Sequence, residues 1–216
     1  LAQWQDPEQQ GDYFDAVPPI NVGYLVWSQF PIKIYIEPVD PTLSGFNRDR
    51  AQAWVEAIRQ AVQDWALYLP LELIDSVESA NIQIWRSAPP LQRSAPPAAP
   101  GNPAEVPPAS GVPPLPRVRS AETRYELLID RSNVPAILSH RFRVYLSPNQ
   151  IPAYTRVTAR HELGHALGIW GHSPQPTDVM YFSQVRNPPS LSHRDINTLK
   201  RIYQQPTRVG WAVGQG

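Results

Sequence analysis

Residues 161–165 read His-Glu-Leu-Gly-His, and two imidazoles four residues apart with a carboxylate beside the first define a metal-hydrolysis motif. On a helix, His161 and His165 stack one turn apart on one face and can share a zinc ion. Glu162 is then placed to take a proton from a metal-activated water. A catalytic zinc takes three protein ligands and keeps one open position. A downstream Glu is not available, because the chain has no Glu after Glu162. The remaining downstream candidates for the third ligand are His172, Asp178, His193 and Asp195. His172 is nearest, and Gly168 can end the helix in a positive-φ turn that brings His172 back toward the metal.

A helix must therefore cover His161 and His165. It starts after Pro152, with Ala159, Leu163, Ala166 and Trp170 facing the core while the two histidines face a cleft. Upstream, Ile32-Lys33-Ile34-Tyr35-Ile36 alternates as a strand does, and Pro38 and Pro41 end it. Asn47 offers an N-cap for a helix running to about Leu69, with a stripe of Trp54, Ile58, Ala61, Val62 and Trp65. Leu71–Ile74 and Ile82–Trp85 read as two further strands, and Arg124–Ile129 and Phe142–Leu146 as the last two. Residues 191–196 open a C-terminal helix that ends near Tyr203. His193, beside Ser192 at that helix start, reads as a surface or capping residue, and His140 as a loop or strand-end residue.

Two segments stand apart. Residues 1–20 are polar and acidic and read as an irregular N-terminal arm preceding a single domain over 21–216. Residues 88–118 carry four proline pairs, at 89–90, 96–97, 107–108 and 113–114, and read as an insertion of polyproline-like coil. An inert surface loop is the favoured reading. A lid or a docking segment for a proline-binding module is the functional alternative.

The motif region resembles the metzincin metallopeptidases, whose signature is H-E-x-x-H-x-x-G-x-x-H followed by a methionine-containing turn. His161, Glu162, His165 and Gly168 match in register. His172 falls one residue late, so Gly171 reads as a one-residue insertion in the turn. Met180, within Asp178-Val179-Met180-Tyr181 and the single Met of the chain, is similar to the Met-turn that lies beneath the metal. Ser173, Val179-Met180-Tyr181 and residues 191–196 follow the matrixin branch, as in a bacterial matrixin-like catalytic domain.

The resemblance implies an α+β metzincin-like fold. That is a twisted mixed five-stranded sheet packed on an N-terminal helix and an active-site helix, plus a C-terminal helix. It implies a zinc-dependent endopeptidase with one catalytic Zn2+ on His161, His165 and His172, and Glu162 as general base and acid. Residues 124–129 would be the edge strand that pairs with an extended protein or peptide substrate. Phe182 stands where matrixins have proline, so Tyr181 and Phe182 are candidate walls of a pocket of altered shape. No His lies between residues 86 and 139, so the second, structural zinc of many matrixins is not expected. An alternative is a non-catalytic or self-occluded zinc-containing binding module with the Pro-rich loop as docking surface. Glu162 argues against it, because a structural zinc site needs no neighbouring base. Some metzincins are held latent by an aspartate on the metal, and Asp6, Asp12 and Asp15 are the candidates here.

Composition narrows the partners. Net charge is zero with no basic block, so nucleic acid is not an expected partner. No apolar run reaches membrane-span length, and a monomer is expected. The chain has no cysteine, hence no disulfide and no thiolate to cap the zinc. Acidic residues are too scattered to define a calcium loop, so Ca2+ has no support. The chain opens on Leu1 as a processed form would, and secretion is what the resemblance implies.

Overall fold

The computed structural model describes residues 1–90, 120–183 and 185–214. Most of the Pro-rich insertion expected at 88–118 lies outside the described residues. Five strands form one sheet: β1 (Ile32–Ile36), β2 (Leu71–Ile74), β3 (Ile82–Trp85), β4 (Ala121–Asp130) and β5 (Ile137–Leu146). Their spatial order is β2-β1-β3-β5-β4. β1 pairs in parallel with β2 and β3, and β3 with β5; only the β4–β5 pair is antiparallel. Among the described residues three α-helices complete the fold: α1 (Gly45–Ala66), α2 (Pro152–Leu167) and α3 (His193–Ile202). The α+β architecture is thus the one the resemblance implies.

The strands form because β-branched and aromatic side chains alternate against one covered face. Ile32 and Ile34 of β1 and Phe142, Val144 and Leu146 of β5 are completely buried. α1 answers from the other layer with Trp54, Ile58, Ala61, Val62 and Trp65, and α2 with Ala159, Leu163, Ala166 and Leu167. The two helices pack side by side, and α2 also lies against β4 and β5.

Several boundaries differ from the sequence reading. α1 begins at Gly45 with Ser44 as N-cap, so Asn47 lies inside the first turn. It ends at Ala66, because the chain must leave helical geometry before Pro70 and bury Leu69 on its way into β2. β4 and β5 are longer than expected, in an unbroken register from Ala121↔Leu146 to Asp130↔Ile137. The extension carries no alternation of its own. Cross-strand partners support it: Ala121, Glu122 and Thr123 pair with Leu146, Tyr145 and Val144, and Ile137, Leu138 and Ser139 with Asp130, Ile129 and Leu128.

Residues 1–17 contain a single 3-10 turn at Phe14–Ala16, but the segment is packed rather than free. Tyr13 and Val17 belong to the core. Trp4 Nε1 donates to Asn197 at 2.8 Å, and Lys200 Nζ donates to the Trp4 carbonyl at 2.6 Å. A few apolar anchors in a polar stretch suffice to dock it on α3. His140 is a second departure. It lies inside β5, 3% exposed, stacked on Trp27 with ring centroids 3.9 Å apart.

Candidate metal centre

α2 opens with Pro152 at its first positions, where a missing N–H costs nothing. It stops at Gly168, whose φ of 132° is open to glycine and strained for other residues. The chain turns back there, and Ile169 N donates to Gly164 O at 3.0 Å. This turn delivers His172 to the two helix histidines. Ring centroids lie 4.8 Å apart for His161–His165, 4.9 Å for His165–His172 and 5.3 Å for His161–His172. One ring nitrogen from each of the three lies within 4.8 Å of the others.

The donor set fits a borderline divalent cation. His161 Nδ1 lies 2.8 Å from the Val179 carbonyl, and His165 Nδ1 lies 2.7 Å from the Ile169 carbonyl. A carbonyl only accepts, so each Nδ1 carries the proton and each Nε2 keeps its lone pair for a metal. Burial, then the neighbouring His161 and His172, hold His165 well below the ordinary histidine range. Burial, then His161, push His172 down to about 4. These two rings are therefore neutral at neutral pH, the form that ligates. Three imidazoles without a carboxylate suit zinc, with room for a fourth ligand.

The other candidate ligands are engaged elsewhere. Asp178 accepts from Ser173 Oγ, from Ser192 Oγ at 2.8 Å and from Arg194 Nε at 3.1 Å. Asp195 accepts from Tyr13 Oη at 2.6 Å and from Val179 N at 2.9 Å, and its carboxylate completes a capping box with Ser192. His193 stands at the first position of α3, against the Trp4 ring and 3.6 Å from Asp6. The N-terminal aspartates considered as metal plugs are placed otherwise. Asp6 accepts from Asn197 at 2.7 Å, Asp12 pairs with Arg201 at 3.2 Å, and Asp15 is 93% exposed.

Two glycines fix the floor and the rim. Met180 is fully buried, and a Cβ on Gly164 would meet its Sδ at 2.2 Å. Position 164, just before the second helix histidine, is therefore glycine because the methionine turn packs directly beneath it. Gly171 faces the N-terminal segment, where a Cβ would meet the Ala16 carbonyl oxygen at 2.4 Å. Spacing alone makes Gly171 a one-residue insertion in the turn; its contact with Ala16 across the fold leaves no local signal in the sequence.

Glu162 is 8% exposed, in the wall between α2 and β4. Thr123 Oγ1 of β4 donates to Glu162 Oε2 at 2.5 Å. Thr123 carries no motif signal; only the β4 register sets it opposite Glu162. A cavity opens beside this carboxylate. Its α2 wall is Tyr154, Val157, Thr158 and His161, which share one helix face, and Tyr181, Phe182 and Pro188–Pro189 line it from the segment after the methionine turn. Ala121, at the start of the edge strand β4, reaches the same cavity. The arrangement can hold a cation, a base and an apolar side chain together.

Residues 134–204 match the family model described as Matrixin, a stretch that holds β5, α2, the methionine turn and α3. No curated protein sequence matches the chain.

Proposed function

We propose that this matrixin-like domain is a zinc-dependent endopeptidase. The observation that carries the reading is the convergence of His161, His165 and His172 next to a cavity that Glu162 also lines. When bound, zinc supplies Lewis-acid polarisation of a scissile carbonyl and a lowered water pKa. Glu162 takes the proton from the attacking water and hands it to the leaving amine. Thr123 holds Glu162 Oε2 and so fixes the rotation of the carboxylate. Val179 O and Ile169 O orient the rings of His161 and His165. The edge strand β4 offers its outer rim to an extended peptide, and the cavity takes one substrate side chain. The domain acts as a monomer outside the cytoplasm; among the described residues no helix is long and apolar enough to cross a membrane.

The test is zinc content together with cleavage of an unfolded protein such as casein, with and without a chelator. One zinc per chain is expected, with cleavage lost to the chelator. Glu162→Gln is expected to keep zinc and lose at least about a hundredfold in turnover. Normal activity in that variant would remove Glu162 from the mechanism. Zinc without any cleavage would favour a binding module. A detectable dimer by sedimentation would overturn the monomer.

A further inference from the structure

Arg160 immediately precedes the first helix histidine, yet its side chain points away from the metal centre into the α1–α2 interface and is only 8% exposed. A buried guanidinium is costly unless a counter-charge and acceptors meet it. Here Asp64 of α1 accepts from Arg160 Nε at 2.9 Å and from Nη2 at 2.6 Å. The remaining arm of the fork reaches the opposite way, and Nη1 donates to the Pro189 carbonyl at 2.9 Å. Trp65 Nε1, donating to the Arg160 carbonyl at 2.9 Å, fixes the backbone from which the side chain springs.

Pro189 belongs to the stretch between Tyr181 and α3, which has no helix or strand among its described residues. Pro188 and Pro189 lack N–H groups and cannot build a ladder of their own. Both line the same cavity as Tyr154, Val157 and His161. The cavity wall that Pro188 and Pro189 supply is thus an irregular segment tied to α2 by a buried planar donor whose counter-ion, Asp64, is only partly exposed. Lysine could not make this link, because a single ammonium lacks the two-sided fork.

Resting on the peptidase reading above, the geometry points to Arg160 as a specificity-determining positioning residue: held by Asp64, it sets the distance of the Pro188–Pro189 wall from α2 and so selects which apolar substrate side chain the cavity admits. Arg156 gives the internal control. It shares Asp64 at 2.8 Å and is 40% exposed, with no bond to Pro189 among the described contacts.

The test is kcat/KM across a peptide series varied only at the residue that enters the cavity, from Ala to Leu to Phe, for the parent chain, Arg160→Lys and Arg156→Gln. In Arg160→Lys the ratio between best and worst side chain is expected to shrink about tenfold, the scale that a pocket contact contributes to discrimination. Arg156→Gln is expected to leave the ratio unchanged. Uniform scaling of every peptide in Arg160→Lys, or an equal change in Arg156→Gln, would overturn the proposal. Hydrogen exchange reads the tether without any activity. The amides of Val185, Arg186 and Asn187 are expected to exchange about tenfold faster in Arg160→Lys, with the core amides of α2 unchanged. Unchanged exchange there also overturns it. Asp64→Asn, expected to act in the same direction, serves if Arg160→Lys does not fold, and an unchanged profile in it counts against the proposal. If the parent chain is protected as described but cleaves no peptide, the peptidase reading fails and takes the specificity role with it, while the exchange result still reads the tether.

Discussion

Replacing Gly171 by alanine tests how the third histidine is held. The added Cβ would sit 2.4 Å from the Ala16 carbonyl oxygen, 3.0 Å from Val17 Cα and 3.1 Å from Val17 Cγ2. An ordinary C···O contact needs about 3.3 Å, so roughly 0.9 Å must open. Swinging a side chain aside would not relieve this, because the two nearest atoms are backbone. The N-terminal side is firmly anchored. Ala16 N and Val17 N close the 3-10 turn at 3.0 and 2.9 Å, Val17 is 1% exposed, and Tyr13 N donates to Thr198 Oγ1 at 3.0 Å. Among the described residues, the backbone bonds of the 169–173 stretch lie before Gly171 and after His172: Ile169 N to Gly164 O, Trp170 N to Gly168 O and Ser173 N to Met180 O. The strain of overpacking, about 1–3 kcal/mol, should therefore fall on the loop and displace His172. At 1.4 kcal/mol per decade, zinc affinity is expected to drop about ten- to a hundredfold in a chelator competition. The metal-free melting temperature should fall by only a few degrees, at about 2–4 °C per kcal/mol. A large loss of metal-free stability with unchanged zinc affinity would show that the N-terminal segment yields and does not position His172. No change in either would refute the contact itself.

His140 predicts an acid-dependent loss of stability. Burial lowers its pKa from 6.5 to about 4, so its contribution is complete above pH 6.5 and is lost as pH falls toward 4. The gap corresponds to about 3 kcal/mol, and His140→Phe, which keeps a ring against Trp27, should lose correspondingly less stability over that range in urea titrations. Parallel pH profiles for the two proteins would rule this out. Thr123→Val removes the donor to Glu162 Oε2, and kcat should fall about tenfold with zinc content unchanged. An unaltered kcat would mean that the hydroxyl does not hold the base.

The grouping of the candidate ligands was legible in the chain because most of it is local. His161, Glu162 and His165 need only one helical turn to be brought together, and Gly168 needs only its own backbone freedom to end that helix. The Ile and Trp periodicities likewise placed β1 and the α1 stripe, since burial of one face leaves its period in the sequence. What the tertiary structure decided is everything that depends on neighbours distant in sequence. The full length of β4 and β5 rests on cross-strand register, which no single strand's pattern encodes. Thr123 meets Glu162 across 39 residues, and Tyr13 meets Asp195 across 182. His140 reads as a loop or strand-end residue because a lone polar side chain gives no sign that Trp27 will cover it. The N-terminal segment is polar on average, and averaging hid the anchors Trp4, Tyr13 and Val17 that dock it. Gly164 and Gly171 show the same division: the sequence records that no side chain is present, and only the packing of Met180 and Ala16 shows why none would fit.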